Sequence, residues 1–333
     1  MAKIIINATA AKSGGALTIL RTFLESIPHN RRKDFLLLAP QSYEIDQLKS
    51  IRLSTCGIFT YIFSVIGIGF YQLVFSSRKV LSFNNVNTIF YSSSSMTYFH
   101  QLKMFDRSYK DLKLSLYRFT IRYINSRSLF IVQTKTVRDL FIKFDTRIGD
   151  RALIVWPGFI KEKLEENTFK LPNYPIDFDI EEFGLIPIAY DTDHKNLSFL
   201  SKINHFFHQK NIKNIILTKN ASSLTNLESI FEIGQVSREQ LYYLYSKAKF
   251  LIFTSLSETV GLPIFEFLET GKPTFVFGAQ YAVDFYYKFH QPSNLILFNT
   301  EDEFKELFLQ NIDKVYTSKS YSDGEWIKIL EKL

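Results

Sequence analysis

Short apolar runs alternate with longer stretches of helical period along almost the whole of this 333-residue chain. That alternation belongs to α/β domains, where buried parallel strands are joined by helices. A first series of runs predicts strands over residues 3–6, 35–38, 80–82, 97–99, 129–132 and 152–155. A second predicts strands over 185–190, 214–218, 231–233, 250–253, 274–277 and 295–298. Between the series, residues 161–175 are polar and contain proline, and they read as a linker. The length suits two domains. The expectation is an α/β chain of two Rossmann-like domains, residues 1–160 and 161–319. A last helix within 320–333 carries Trp326 and Leu330.

Residues 255–266 read Ser-Leu-Ser-Glu-Thr-Val-Gly-Leu-Pro-Ile-Phe-Glu, and Thr270-Gly271-Lys272-Pro273 follows. Glu258 and Glu266 are separated by seven residues that include Gly261-Leu262-Pro263. Pro263 suits the first helical position, where a missing N–H costs nothing. Gly271 suits the turn past the helix end, and Pro273 stops the helix. The free N–H groups of the helix start after Val260 form an anion site. A carboxylate before that start and another one turn inside it suit a nucleotide sugar. Glu258 would face sugar hydroxyls, Ser257, Thr259, Val260 and Gly261 the diphosphate, and Glu266 the ribose.

This segment resembles the E-x7-E signature of retaining glycosyltransferases with the GT-B fold, the large family 4 type. The resemblance implies two Rossmann-like halves facing a cleft, with the final helix crossing back onto the first domain. It implies transfer of a sugar from a nucleoside-diphosphate sugar to a glycan or lipid-linked glycan acceptor, as in bacterial surface polysaccharide synthesis. It also carries further residues. The first strand is followed by Gly14-Gly15 and an apolar helix, and in the family a glycine in this loop abuts the donor diphosphate; Gly15 is the better match. Residues 191–196, Asp-Thr-Asp-His-Lys-Asn, resemble the family's phosphate-binding stretch, with Lys195 in the place of its lysine. The place of its arginine falls on Ala189 or Tyr190, neither of which is charged. Lys195 and the helix start after Val260 are left to meet the leaving diphosphate. Residues 234–245 resemble the element whose valine, here Val236, lies near the nucleotide base. Independently, Ser237 and Gln240 are spaced for a capping box. The strand before it ends in Lys219-Asn220, where the family usually has glycines.

In the first domain His100 follows an apolar strand, at the kind of edge where α/β sites form. Family members often place a histidine there, close to the donor sugar and acceptor; a packing role is the alternative. Asn84, Asn85 and Gln101 line the same edge as acceptor candidates, with Gln133-Thr134 after the next strand. Lys195, Glu258 and His100 form the expected catalytic set.

There is no His/Cys/Asp cluster with metal-ligand spacing, so no metal or other cofactor is expected. One cysteine, Cys56, excludes an internal disulfide and fits a reducing compartment. The chain passes directly from Met1 into a buried strand, which reads as cytoplasmic. The net charge is +7, and residues 102–151 carry twelve Lys/Arg against five Asp/Glu, the whole of the surplus. Within them Leu112, Leu116, Phe119 and Tyr123 recur at helical spacing among Lys110, Lys113, Arg118 and Arg122. Such a helix favours an anionic membrane surface, or is simply a solvated face. No nucleic-acid motif accompanies the charge. Residues 53–77 carry no charge at all and are long enough to span a bilayer. A span there would part the first βα unit from its own sheet. A core helix, or an apolar surface dipping into the interface, is expected instead, giving a peripheral protein at the inner face of the plasma membrane.

Two rivals share the fold. UDP-sugar 2-epimerases lack the Gly-Leu-Pro context, and phosphorylases need a pyridoxal cofactor and a longer chain. From a different class, a catalytically silent GT-B subunit that binds a membrane partner would tolerate the missing arginine.

Overall fold

The computed structural model describes residues 3–43, 48–162, 183–190, 192–218, 224 and 227–333. Most of the expected linker, and Asp191, Lys219 and Asn220, lie outside the described residues. The chain divides into two compact units, Met1–Ile160 with Asp323–Leu333, and Lys161–Ser322.

The first unit is built on seven strands: β1 (Ile4–Asn7), β2 (Phe35–Pro40), β3 (Ser50–Leu53), β4 (Lys79–Ser82), β5 (Ser95–Tyr98), β6 (Leu129–Val132) and β7 (Ala152–Ile154). They lie in the order β3-β2-β1-β4-β5-β6-β7, all parallel. Central strands such as Ile4-Ile5-Ile6 are apolar throughout because helices cover both faces of a parallel sheet. β3 escapes the sequence reading because it is an edge strand, Ser-Ile-Arg-Leu, only half buried and without an apolar run.

Residues 57–74 are helical throughout, with a π-turn over Phe63–Gly67. The turn frees the Val65 carbonyl, which accepts the Ile89 N–H at 3.0 Å. Gly57–Val74 is long and apolar enough to cross a membrane, with mean hydropathy 1.7. One side of it packs on the first unit. Val65 and Ile68 enter core clusters beside the sheet, while Phe59, Ile62, Ile66, Phe70 and Leu73 point outward.

The basic helix runs Leu112–Phe119 and continues as a π-turn over Thr120–Ile124. Its core face is Leu114, Tyr117 and Ile121. The stripe expected from spacing lies about half a turn round the helix. Leu112, Phe119 and Tyr123 are exposed there, and Leu116 is half-buried. The helix is thus apolar on two faces, one packed and one outward. It joins the preceding helix through Tyr61, whose hydroxyl meets Thr120 Oγ1 at 2.6 Å.

The chain end returns to this first unit. Trp326 Nε1 donates to Pro157 O at 2.8 Å and to Thr22 Oγ1 at 3.2 Å, and its ring packs edge-on against Phe23. Regular α-helix covers only Ile327–Leu330, a shorter element than expected. Residues 320–322 stay with the second unit because Glu269 collects Ser320 Oγ and the N–H groups of Tyr321 and Ser322.

The second unit has six parallel strands, β8 (Phe183–Ile186), β9 (Lys213–Ile216), β10 (Ile230–Glu232), β11 (Phe250–Phe253), β12 (Thr274–Phe277) and β13 (Leu295–Phe298). Their order is β10-β9-β8-β11-β12-β13. β8 ends four residues before the expected Tyr190, since Pro187 has no N–H for the ladder. Each sheet reverses its strand order once, between β1 and β4 in the first unit and between β8 and β11 in the second. In open α/β sheets, ligands bind beyond the strand ends at such switch points.

Candidate functional site

In the second unit the switch point joins the segment after β8 to the loop after β11. Asp193–Lys195 forms one 3-10 turn, closed by Asn196 at φ 53°. Thr254 Oγ1 donates to Lys195 O at 2.7 Å, and Leu256 N–H donates to His194 O at 2.7 Å. With the backbones clamped, Lys195 Nζ and Glu258 Oε1 form an ion pair, each side chain only 17% exposed. Ser257, Glu258 and Thr259 are half-buried, and Val260 and Gly261 are buried. Gly261 caps the next helix in the left-handed region, φ 69°. The helix is Leu262–Leu268, so Pro263 is its second residue rather than its first. Gly271, also expected at the helix terminus, lies one residue further on. It is left-handed (φ 72°), and a Cβ there would meet Tyr316 O at 2.5 Å. The Tyr281 hydroxyl donates to Ser255 O at 3.1 Å and fastens the loop from the other side.

Glu266 points inward from that helix, its side chain only 1% exposed. Arg238 Nη2 donates to Oε1 at 3.0 Å and Tyr245 OH to Oε2 at 2.9 Å. Burial pushes its carboxyl up, while Arg238 pulls it back down. Arg238 also reaches Glu162 at 3.2 Å and stacks on Tyr242. Arg238 opens the helix Arg238–Lys247, started by the Ser237–Gln240 capping box. Val236, two residues earlier, is half-buried. The sequence reading passed over Arg238. Its position in the motif-bearing stretch 234–245 was visible, but its partner lies 28 residues away.

In the first unit, Gly14 and Gly15 open the helix Gly14–Ser26 and are exposed, with open space where a Cβ would sit. Asn84 is buried beneath that loop. Its Oδ1 accepts the Ala10 N–H at 3.1 Å, and its Nδ2 donates to Thr9 Oγ1, Ser64 Oγ and Asn7 Oδ1. Both ends of this amide are engaged within the protein, so Asn84 positions the loop. Asn85 takes φ 66° and is held against His100. Burial, with the charge of Lys113, lowers the His100 pKa to about 4. Gln101 is half-buried and caps a short turn over Leu102–Met104. Gln133 is buried and donates to Phe99 O, and Thr134 caps the helix Lys135–Phe144. The fold therefore gathers Asn84, Asn85 and His100 at the ends of the adjacent strands β4 and β5, beside the Gly14 loop after β1.

No group of three or more metal-ligating side chains stands together among the described residues. Two Asp-x-Asp tripeptides do occur, at 177–179 and 191–193. The first and Asp191 lie outside the described residues.

No family model matches the sequence, and no curated protein matches it. Solved structures do. Sucrose-phosphate synthase from Thermosynechococcus elongatus matches with a TM-score of 0.65 at 12% identity, over 94% of this chain and 90% of that one. WaaG, a glycosyltransferase involved in lipopolysaccharide biosynthesis, matches with 0.64 at 12%, over 93% and 90%. The UDP-GlcNAc 2-epimerase of Methanocaldococcus jannaschii, solved with UDP-GlcNAc and UDP, matches with 0.52 at 10%, over 98% of both chains. At such identities the likeness establishes the fold, and the chain has the α/β GT-B fold.

Proposed function

We propose that this chain is a retaining glycosyltransferase of the family 4 type. It moves a sugar from a nucleoside-diphosphate sugar to a glycan or lipid-linked glycan acceptor in bacterial surface polysaccharide synthesis. The observation that carries this reading is the Lys195–Glu258 pair at the switch point of the second sheet. A half-buried cation beside a carboxylate, next to the loop 257–261, suits a sugar diphosphate whose phosphates carry charge and whose sugar carries hydroxyls. Two neighbours of the same fold support it: WaaG is a glycosyltransferase involved in lipopolysaccharide biosynthesis, and the 2-epimerase was solved with UDP-GlcNAc and UDP.

In this mechanism the second unit holds the donor. Glu258 takes sugar hydroxyls, and Lys195 with Ser257, Thr259, Val260 and Gly261 takes the diphosphate. Val236 lies at the base and Glu266, with Arg238, at the ribose. The first unit holds the acceptor, with Gly14 and Gly15 beside the diphosphate, His100 orienting the reacting sugar, and Asn85 and Gln101 near the acceptor. Catalysis is electrostatic: prearranged donors stabilise charge as the diphosphate departs. The acceptor oxygen forms the new bond to the anomeric carbon on the face the diphosphate leaves, and its proton passes to the leaving phosphate. No metal takes part.

The protein is cytoplasmic and peripheral at the membrane. Its outward apolar residues on two joined helices, together with the basic segment 102–151, support docking on an anionic surface. A thermal-shift screen with UDP, GDP and their sugars tests donor binding, since a ligand stabilises by RT ln(1 + [L]/Kd). Donor hydrolysis by the purified protein then separates the enzyme from a silent subunit, the reading favoured by uncharged Ala189 and Tyr190. Sugar recovered with C2 inverted would identify an epimerase.

A further inference from the structure

A cavity of about 60 Å³ lies between the loop after β1, the helix Gly14–Ser26 and the turn after β2. A water takes about 10–15 Å³ of such space, so there is room for a few waters or one tetrahedral oxyanion. Lys12 comes from the loop, Leu17 and Arg21 from the helix, and Pro40, Ser42 and Tyr43 from the turn. Leu17 and Arg21 are four residues apart and share one face of the helix. The buried Tyr43 closes the turn, its N–H donating to Pro40 O at 3.0 Å. The cavity therefore sits at the C-terminal ends of β1 and β2, the edge at which α/β sheets bind ligands.

Its charge is one-sided. Arg21 is half-buried, its Nε is enclosed without a partner, and its guanidinium makes no ion pair or hydrogen bond with the described residues. Other arginines of this unit are met by the main chain: Arg31 donates to Leu330 O, Arg122 to Phe144 O and Arg151 to Arg127 O. A guanidinium taken partly out of water and given no acceptor carries a cost that a bound anion removes. Lys12 is the second cation. Its Nζ gives one hydrogen bond, to Thr55 O at 2.7 Å, which leaves two N–H donors. No Asp or Glu occurs before Glu25, and none of the described lining residues is acidic.

Position narrows the anion. Lys12 stands two residues before Gly14-Gly15, the loop assigned to the transfer reaction. Its partner Thr55 stands two residues before Gly57, where the outward apolar helix begins. An anion here lies between the two, where a lipid-linked acceptor has its bond from sugar to lipid. Neither cation belongs to the outward apolar stripe or to the basic segment 102–151. We propose that this cavity binds a phosphate of the acceptor, which is then a saccharide joined to its lipid through phosphate. The Arg21 guanidinium and the Lys12 ammonium take the phosphate oxygens. The inference rests on the transferase reading and narrows its acceptor to a charged class.

The test is equilibrium binding of geranyl diphosphate, a soluble lipid diphosphate, to the full chain, with geraniol, inorganic phosphate and UDP in parallel. Geranyl diphosphate should bind at least about tenfold more tightly than geraniol or inorganic phosphate. Arg21→Gln and Lys12→Gln should each weaken it at least about tenfold, as loss of a hydrogen bond to a charged group does. Arg21→Lys should restore part of the loss, since it keeps the charge without the fork. Lys33→Gln, an exposed cation elsewhere in the unit, supplies the baseline. UDP affinity and sedimentation with phosphatidylglycerol vesicles should be unchanged in Arg21→Gln. Lys12 is exposed, so Lys12→Gln carries the test if Arg21→Gln fails to fold. If neither variant loses more than Lys33→Gln, the site is overturned. An equal loss of UDP affinity would give the cavity to the donor, an equal loss of vesicle binding would give it to a membrane headgroup, and equally tight inorganic phosphate would make it a free-phosphate site; each overturns the acceptor assignment. Absence of UDP binding by the wild type would instead sink the transferase reading, with geranyl diphosphate still deciding the site.

Discussion

Asn85 holds His100 at two points: its Oδ1 accepts the His100 backbone N–H at 2.7 Å, and its Nδ2 lies 3.3 Å from Nε2. The first bond fixes the Asn85 amide, so Nδ2 is the donor and Nε2 the acceptor. The ring proton then sits on Nδ1. His100 is neutral near pH 7 because burial lowers its pKa from 6.5 to about 4. It can orient or accept, but does not bring a positive charge to the sugar.

His100→Ala should cut turnover by about 10²-fold, the low end for a positioned group. Nucleotide affinity should hold nearly constant, because base and diphosphate are assigned to the other unit. The pH dependence has a definite sign. A histidine with a depressed folded pKa binds fewer protons folded than unfolded between about 4 and 6.5. Its neutral form is fully compatible with the fold above pH 6.5, and stability falls as pH drops toward 4. His100→Gln should flatten that part of a stability-against-pH curve. An unchanged curve, with unchanged turnover, would leave His100 as packing alone.

Glu266 is bonded at both oxygens, by Arg238 and by Tyr245. A ribose must therefore share this carboxylate with Arg238. Glu266→Gln should weaken nucleoside-diphosphate binding by about 1.5–3 kcal/mol, the worth of hydrogen bonds to a charged group. A 2′,3′-dideoxy analogue should bind wild type and variant alike; if it does not, the ribose role is wrong. Glu266→Ala adds a stability cost. Removing one partner of a buried pair costs about 3–5 kcal/mol, and here about 2 kcal/mol is expected, since Arg238 is partly exposed and keeps Glu162.

The strands most legible in the sequence were those buried on both faces. β11, β12 and β13 begin and end where their apolar runs do. The edge strand β3 offered no such run, and Pro187 cut β8 short. The outward stripe of the basic helix was legible from spacing, but its packed face of Leu114, Tyr117 and Ile121 was not, because the helix is apolar on two faces and spacing alone does not say which one meets a sheet. Site residues showed a similar limit. Lys195, Glu258 and Glu266 were visible one by one, through motif and helix punctuation. Their pairing depends on strand order: Lys195 and Glu258 are 63 residues apart and meet only because β8 and β11 are neighbours. Asn84 was read as facing a ligand, yet the fold spends both ends of its amide on the loop before Gly14.

Transfer should proceed without added divalent metal and in the presence of EDTA. The described residues place no carboxylate cluster for a metal, and the Lys195 ammonium, which gives one donor to Glu258, has two others for the diphosphate. Asp193 belongs to an Asp-x-Asp tripeptide beside Lys195, which makes this a sharp test. Activity abolished by EDTA and restored by magnesium or manganese would move the diphosphate onto a metal.

Docking through the segment 102–151 should depend steeply on salt, since each basic residue near an anionic surface contributes about 1 kcal/mol and screening shortens that reach. The outward Phe119 and Tyr123 should add a salt-insensitive remainder, so Phe119→Ser with Tyr123→Ser should lower binding at high salt most. Equal sedimentation with neutral and anionic vesicles at every salt would show that the basic face is only solvated.

Trp326 brings the chain end into the first unit, and the stability of that unit should depend on it. The indole is buried against Phe23, Phe83 and Tyr98, and Tyr98 in turn lies against His100 with ring centroids 6.2 Å apart. Trp326→Ala should cost about 3–5 kcal/mol, the range for deleting a large core aromatic. Trp326→Phe keeps most of the ring contacts and loses the bonds from Nε1 to Pro157 and Thr22, a cost of about 1 kcal/mol. Because two compact units unfold in one chain, denaturant unfolding should be followed with a probe in each. Only the transition of the first unit should move, in the order wild type, Trp326→Phe, Trp326→Ala. Turnover should fall with it under conditions where both variants remain folded, since Tyr98 sits beneath His100. Equal shifts of both transitions would mean that the chain end supports both units rather than the first alone.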